Sequence, residues 1–223
     1  MTTTERSTNA PKDARGALEG LKVLDASRLL PAALCTQLLG DLGADILKVE
    51  EPGRGDYQRG FPPIGKVDSG TFLLCNRNKR SMTLNLKHEE GKRIFRELAA
   101  QSDVVVEGFR PGVMERLGLG PAPCQAANSR LVYGRMTGWG QNGMYGQAAG
   151  HDINYIALAG ALAHFGRAGE MPTPPLNMVG DFGGGGMFLA FGVVCGILEA
   201  RSSGKGQVVD AAMVEGAAML GNI

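Results

Sequence analysis

The stretch from residue 21 to residue 51, LKVLDASRLLPAALCTQLLGDLGADILKVEE, decides the fold. A short run rich in Val and Leu (21–27) precedes a segment of helical period (32–43), and a second short apolar run (45–51) follows it. Apolar runs of this length on either side of a helix read as strands, and a strand–helix–strand unit makes its two strands parallel neighbours. The alternation continues along the chain. After a polar, Gly- and Pro-containing insertion (52–70), a strand is expected at 81–87. An amphipathic helix at 88–102 follows, with Ile94, Leu98 and Ala99 on one face. Further strands are expected at 103–109 and 130–138, separated by a helix that Pro111 opens (111–120). A Pro-rich loop (171–176), a buried helix from about Gly183 and a strand running into a helix (206–220) complete the pattern. The fold class is α/β: a doubly wound, mostly parallel sheet covered by helices on both faces.

Sheets of this kind often hold a nucleotide on a glycine-rich turn after the first strand, but here that turn reads SRLLPAAL (27–34), without glycine. A dinucleotide fingerprint is therefore excluded. The fragment SSGKGQ (202–207) has Glu199 where a phosphate-binding loop needs its first glycine, and no Ser or Thr after Lys205; it reads as a turn.

The 223 residues carry a formal net charge of +1 and no long basic run, which points away from nucleic acid as a partner. Four scattered cysteines, Cys35, Cys75, Cys124 and Cys195, lie outside any metal-ligand spacing. Reduced thiols, a cytoplasmic setting and no metal site are expected. The apolar stretch MFLAFGVVCGILEA (187–200) is expected to be too short for a membrane span and to form a buried helix. Residues 1–16 lack an apolar core and read as a flexible tail, leaving 17–223 as one large α/β domain.

Chemistry-bearing residues fall in a few places. His151 and Asp152 stand together in AGHDINYIALAG (149–160), where Asp152 has the position of a helix N-cap. On residue type alone, His151 reads either as a surface neighbour of that cap or as a proton carrier. Asp181 precedes four glycines, Gly183–Gly186 following Phe182, at an expected helix start. Each glycine costs a helix about 1 kcal/mol relative to alanine, so the cluster implies that something needs bare backbone there. Arg77, Lys79, Arg80 and Lys87 surround the third strand and Arg110 ends the fourth, a basic set suited to phosphates or simply to solvent. His88 reads as a solvated first-turn residue, and His164 has no evident partner.

Seven stretches in register, among them NRNKRSMTLNLK, VVVEGFRPGVMERLGLG, AGHDINYIALAG and PLNMVGDFGGGGMFLAFG, resemble the family III CoA-transferases, and within them the α-methylacyl-CoA racemase branch. The resemblance runs from about Leu18 to Gly216. It implies the Rossmann-like large domain of that fold, with a smaller domain and a returning C-terminal segment lying beyond this chain. By the same resemblance, His151 and Asp181 are the two acid/base residues, and Asp152 matches the nucleophile of the true transferases. The coenzyme A contacts would come from Leu84, Asn85, Leu86 and Lys87, from Gly108, Phe109, Arg110, Pro111 and Gly112, and from Gly150, Ile153, Asn154 and Tyr155.

The implied reaction interconverts (R)- and (S)-2-methylacyl-CoA thioesters. One base removes the proton α to the thioester carbonyl, an enolate forms, and the other group returns a proton from the opposite face. The Asp152 backbone N–H is expected to hold the enolate oxygen, and Asp181 would need burial to bring its pKa into a useful range. Coenzyme A would then be part of the substrate, with no separate cofactor. A homodimer is expected, interlocked in the complete protein, with no membrane partner. Two departures stand out. Glu51 occupies a position where the racemases carry Arg, so a phosphate contact would be lost or pass to Lys48 or Arg54. The carboxylate that orients the histidine lies in the portion beyond Ile223. A set of methionines, Met136, Met171, Met178 and Met187, is expected to give the acyl group adaptable apolar contacts.

Overall fold

The computed structural model describes residues 16–221, so positions 1–15 of the expected tail lie outside the described residues. Six strands, β1 (Lys22–Ala26), β2 (Asp45–Glu50), β3 (Lys79–Thr83), β4 (Val104–Glu107), β5 (Val132–Thr137) and β6 (Val208–Ala212), form one sheet in the order β3-β2-β1-β4-β5-β6. Every pairing is parallel. The chain therefore winds outward from β1 to β3, then returns to lay β4 against the other side of β1. This is the Rossmann strand order, and its reversal opens a crevice between β1 and β4 at the carboxyl ends of the strands.

Side chains alternate across the sheet, as strand geometry demands. Val23, Ile46, Val104, Val106 and Val132 face one side, where α1 (Leu30–Asp41) and α7 (Phe188–Ser203) cover them. Leu24, Val49, Val105 and Tyr133 face the other, under α3 (Glu89–Ala100), the short α4 (Val113–Arg116) and α5 (Pro121–Ala127). Fully burying a side chain such as Leu189, Val193 or Phe95 contributes about 1.5–3 kcal/mol, and each is 0% exposed.

Boundaries differ from the sequence expectation for identifiable reasons. Helix α1 begins at Leu30 rather than 32, because Pro31 sits in the first turn, where no backbone N–H is required. Strand β3 runs over 79–83, so 84–87 leave the sheet at its carboxyl edge instead of extending the strand. An unforeseen helix, α2 (Gly70–Asn76), starts where the Ser69 side chain accepts a hydrogen bond from Phe72 N at 3.0 Å. Helix α5 was also unforeseen.

The glycine run is corrected most. It lies inside a helix and not at its start: residues Met178–Met187 wind as a π-helix that passes directly into α7. Phe182 N donates to Asn177 O at 3.0 Å, five residues back, as the wide turn requires. The bare backbone serves close packing. A Cβ on Gly184 would lie 2.6 Å from Ala217 N in α8 (Met213–Leu220), and one on Gly186 would lie 2.6 Å from Pro31 O in α1. The continuous helical run Met178–Ser203 has 26 residues and is long and apolar enough to cross a membrane, contrary to the expected shortness. Leu189, Val193 and Ile197 on its inner face join the core against the sheet.

Candidate active site

Two adjoining cavities lie along the carboxyl ends of the strands. The larger, about 420 Å³, is lined by the β1–α1 turn, residues Gly108–Pro111 after β4, the segment after β5, and His151, Tyr155, Asn177 and Asp181. The smaller, about 270 Å³, is lined by Leu84, Asn85, Leu86 and Lys87 after β3, and by Glu50, Glu51 and Pro52 after β2. Arg28 and Phe109 belong to both walls, so the two form one bent groove across the topological switch point.

Most of the residues implicated from sequence meet in this groove. Gly108, Phe109, Arg110, Pro111, Gly150, His151, Tyr155 and Asp181 line the larger part, and the 84–87 segment lines the smaller. Gly112, Asp152, Ile153 and Asn154 line neither. Gly112 instead takes a left-handed φ of 81° at the start of α4. The bare Cα of Gly150 has a packing cause, since a Cβ there would lie 2.6 Å from the Tyr155 ring. That ring stands edge-on to Trp139, with centroids 4.7 Å apart.

At α6 (Asp152–Leu158) the N-cap expected at Asp152 falls one residue earlier, at His151. His151 is the N-cap and is exposed, with its backbone N–H donating to Asn154 Oδ1 at 2.9 Å. Asp152 is already the first helical residue. Its carboxylate turns inward, 4% exposed, and Oδ2 accepts the Asp181 backbone N–H at 2.6 Å. Asp152 thus spends its side chain on holding Asp181. Its own backbone N–H, in the first turn of α6, has no intrahelical acceptor.

Asp181 is 8% exposed and sits in the π-helical segment, one turn after Asn177, whose Nδ2 donates to Asp181 Oδ2 at 2.7 Å. Burial pushes the Asp181 pKa up. The Asn177 hydrogen bond opposes this, the neighbouring Asp152 carboxylate adds to it, and the His151 imidazole opposes it, with burial prevailing. The groove therefore holds an exposed imidazole and a buried carboxyl of weakened acidity, which are two unlike proton carriers.

The basic set divides. Arg77 pairs with Asp41 at 2.6 Å, and Arg80 pairs with Asp45 at 2.8 Å at the amino end of the strands, away from the groove. Lys79 is buried beneath the sheet's edge, donating to Asp25 at 3.1 Å and to Ala33 O at 2.9 Å. Only Lys87 and Arg110 of this set reach the groove. Lys48 cannot replace the Arg that Glu51 displaces, because its Nζ is buried against Ser27 O at 2.8 Å and Asp56 at 2.9 Å. Arg54 stacks on Tyr57 at 4.5 Å. Of the four methionines expected at the acyl end, only Met136 lines the groove. Met171, Met178 and Met187 are 88%, 57% and 58% exposed, and Met213 lines the groove in their place.

Three groove residues were not foreseen. Arg28 stacks over Phe109 at 5.0 Å, and Asn177 orients Asp181. Leu29 adopts φ 62°, ψ −163°, a region that is otherwise almost exclusive to glycine. A leucine gives no sequence signal for that conformation. The asparagine four residues before Asp181 could have been found from helical spacing. Among the described residues no group of three or more His, Cys, Asp or Glu side chains could hold a metal ion.

Fold and site together define a Rossmann-ordered α/β protein with a histidine and a buried aspartate in one groove at its switch point. The model of CoA-transferase family III matches residues 18–222, and the chain belongs to that family. It is 44% identical over 205 residues to the alpha-methylacyl-CoA racemase of Homo sapiens, covering 92% of this chain and 50% of the relative. It is 41% identical to the succinyl-CoA–L-malate CoA-transferase beta subunit of Chloroflexus aurantiacus, covering 89% of this chain and 49% of that one. The crystal structure of a CAIB/BAIF family protein from Brucella suis superposes with a TM-score of 0.87 at 32% identity, over 93% of this chain and 56% of its own. The chain spans about half the length of the curated relatives it matches.

Proposed function

We propose that this chain carries the proton-transfer centre of a racemase acting on 2-methylacyl-CoA thioesters. The observation that carries the reading is the pair in one groove: His151 at the rim and Asp181 buried, its acidity weakened by burial. A proton α to a thioester is weakly acidic, so the base must be placed and must not be too weak. In one direction Asp181 takes the proton and His151 returns one from the opposite face; for the other enantiomer the roles reverse. Asp152 lines neither part of the groove, so its backbone N–H is not placed to meet the enolate oxygen as expected, while Asn177 keeps the Asp181 carboxyl oriented between turnovers.

A CoA-transferase reading needs the Asp152 carboxylate as nucleophile. That residue does not line the groove, and of its two buried oxygens Oδ2 holds the Asp181 N–H while Oδ1 is unpartnered, so its burial away from the groove is what argues for proton transfer instead. In this reading coenzyme A is part of the substrate rather than a cofactor, the compartment is the cytoplasm and the working unit is a homodimer.

Incubating a 2-methylacyl-CoA with the protein in D₂O tests the reading. Deuterium should appear at the α-carbon from either enantiomer, and His151→Ala and Asp181→Asn should each lose it for one enantiomer, a different one in each variant. Folded wild-type protein that incorporates none would contradict the proposal. A hydroxylamine-trappable acyl group on Asp152 would favour the transferase instead.

A further inference from the structure

The loop from Gly108 to Gly112 carries Phe109, which lines both parts of the groove, and its two ends are tied to one guanidinium. Glu107, the last residue of β4, is 1% exposed, and its Oε2 accepts the Phe109 backbone N–H at 2.7 Å. Its other oxygen, Oε1, accepts from Arg135 Nε at 3.0 Å, across the register pair that joins β4 to β5. The far edge of the same guanidinium reaches Glu115 in α4, with Nη1 at 2.8 Å from Oε1 and Nη2 at 3.2 Å from Oε2. Arg135 itself is 8% exposed. The chain thus leaves the sheet at Glu107, crosses the groove and comes back to the same residue at Glu115.

We infer that Arg135 is a positioning residue for the ligand-contacting loop 108–112, stapling its two ends so that Phe109 stands between the two halves of the groove. Phe109 lines both cavities, and its ring also carries the Arg28 guanidinium, so a shift at this point alters the whole bend. Arg135 does not line either cavity and acts only through the loop. Two weaker ties support the same geometry. Gln147 Nε2 donates to Pro111 O at 3.1 Å, and Tyr133 OH, two residues before Arg135, donates to Leu119 O at 2.9 Å. The planar, five-donor guanidinium suits this task because one group serves two carboxylates in fixed directions, which an ammonium cannot do.

The inference takes its ligand from the proposed acyl-CoA site, while its mechanical claim does not depend on that ligand. The test therefore has two arms. Glu115 is 45% exposed in its side chain, so Glu115→Gln opens the outer half of the staple and leaves the buried Arg135–Glu107 pair intact in a folded protein. Amide hydrogen exchange in Phe109–Val113 should accelerate by about 3- to 10-fold in Glu115→Gln, and more in Arg135→Lys, with other segments unchanged. Affinity for free coenzyme A, measured by calorimetry, should fall by a similar factor. KM for the thioester should rise while kcat stays within about twofold. Unchanged exchange in 109–113 for both variants overturns the staple whatever the ligand is. Faster exchange with unchanged coenzyme A affinity overturns its role in binding. Wild-type protein that binds no coenzyme A refutes the proposed function, and the exchange arm still decides the staple.

Discussion

Two buried aspartates, Asp25 and Asp181, show how one residue type is put to opposite uses in one fold. Asp25, 0% exposed at the end of β1, is surrounded by cations and donors: Lys79 Nζ at 3.1 Å, Thr36 Oγ1 at 2.6 Å and Ser27 N at 2.8 Å. Burial alone would raise its pKa, but Lys79, Lys48 and the hydrogen bonds from Ser27 and Thr36 outweigh that and hold it far below its ordinary value. Asp181 has burial too, yet its neighbours are the Asn177 amide, the Asp152 carboxylate and the His151 imidazole, and burial prevails, so its pKa rises. A buried carboxylate supplied with cations is a structural anion. One left without a close cation is ready to carry a proton.

The sharpest way to break this contrast is to neutralise each aspartate in turn. Asp181→Asn should cut α-proton exchange by about 10²- to 10⁴-fold for the enantiomer whose α-proton Asp181 removes, with cooperative unfolding preserved. Asp25→Ala leaves buried Lys79 without its carboxylate partner, and should cost about 3–5 kcal/mol in urea unfolding. If Asp25→Ala were silent in unfolding, or Asp181→Asn unfolded the protein, the assignment of roles would be reversed.

A smaller effect sits on the turn between them. Leu29 holds a strained backbone that costs about 1–3 kcal/mol, so Leu29→Gly should raise stability even after glycine's entropic penalty of about 0.5–1 kcal/mol. The same change should raise KM, since Leu29 lines the groove. An equal or lower melting temperature would show that the strain is not real.

The last difference is in pH. Asp25 has a depressed folded pKa, so its stabilisation is present above its ordinary 3.8 and is lost as pH falls towards the folded value. Asp181 has a raised folded pKa, so its ionised form opposes folding above 3.8, and that penalty disappears at lower pH. Asp181→Asn should therefore stabilise the protein at pH 7 and have less effect at pH 3. Thermal unfolding at both pH values checks the sign; a gain that is larger at pH 3 would contradict it.

The parallel sheet was legible in the sequence because buried strands are short apolar runs, and 21–51 contains two of them around a helix. The helix α2 was hidden because its cap, Ser69, lies at the end of a stretch whose glycines and prolines suggest only loop. The glycine run was misplaced for a related reason. Glycines punctuate helix ends more often than they line a helix–helix contact, and only the contacts of Gly184 with α8 and Gly186 with α1 reveal their purpose. At the site, His151 and Asp181 could be named from their motifs, whereas their environment could not. That Asp152 would point away from the groove and grip Asp181 depends on how two segments 29 residues apart are packed. Lys79 likewise looked like a phosphate ligand until Asp25 was seen beside it.

The central claim is that His151 and Asp181 serve opposite faces of one α-carbon, and enantiomer-resolved exchange in D₂O tests it most directly. Each enantiomer of a 2-methylacyl-CoA is incubated separately with Asp181→Asn and with His151→Ala, and α-deuterium is followed by mass spectrometry. The account predicts that each variant retains exchange for one enantiomer only, and that the retained enantiomer differs between the two. Loss of exchange for the same enantiomer in both variants, with the other unaffected, would contradict it.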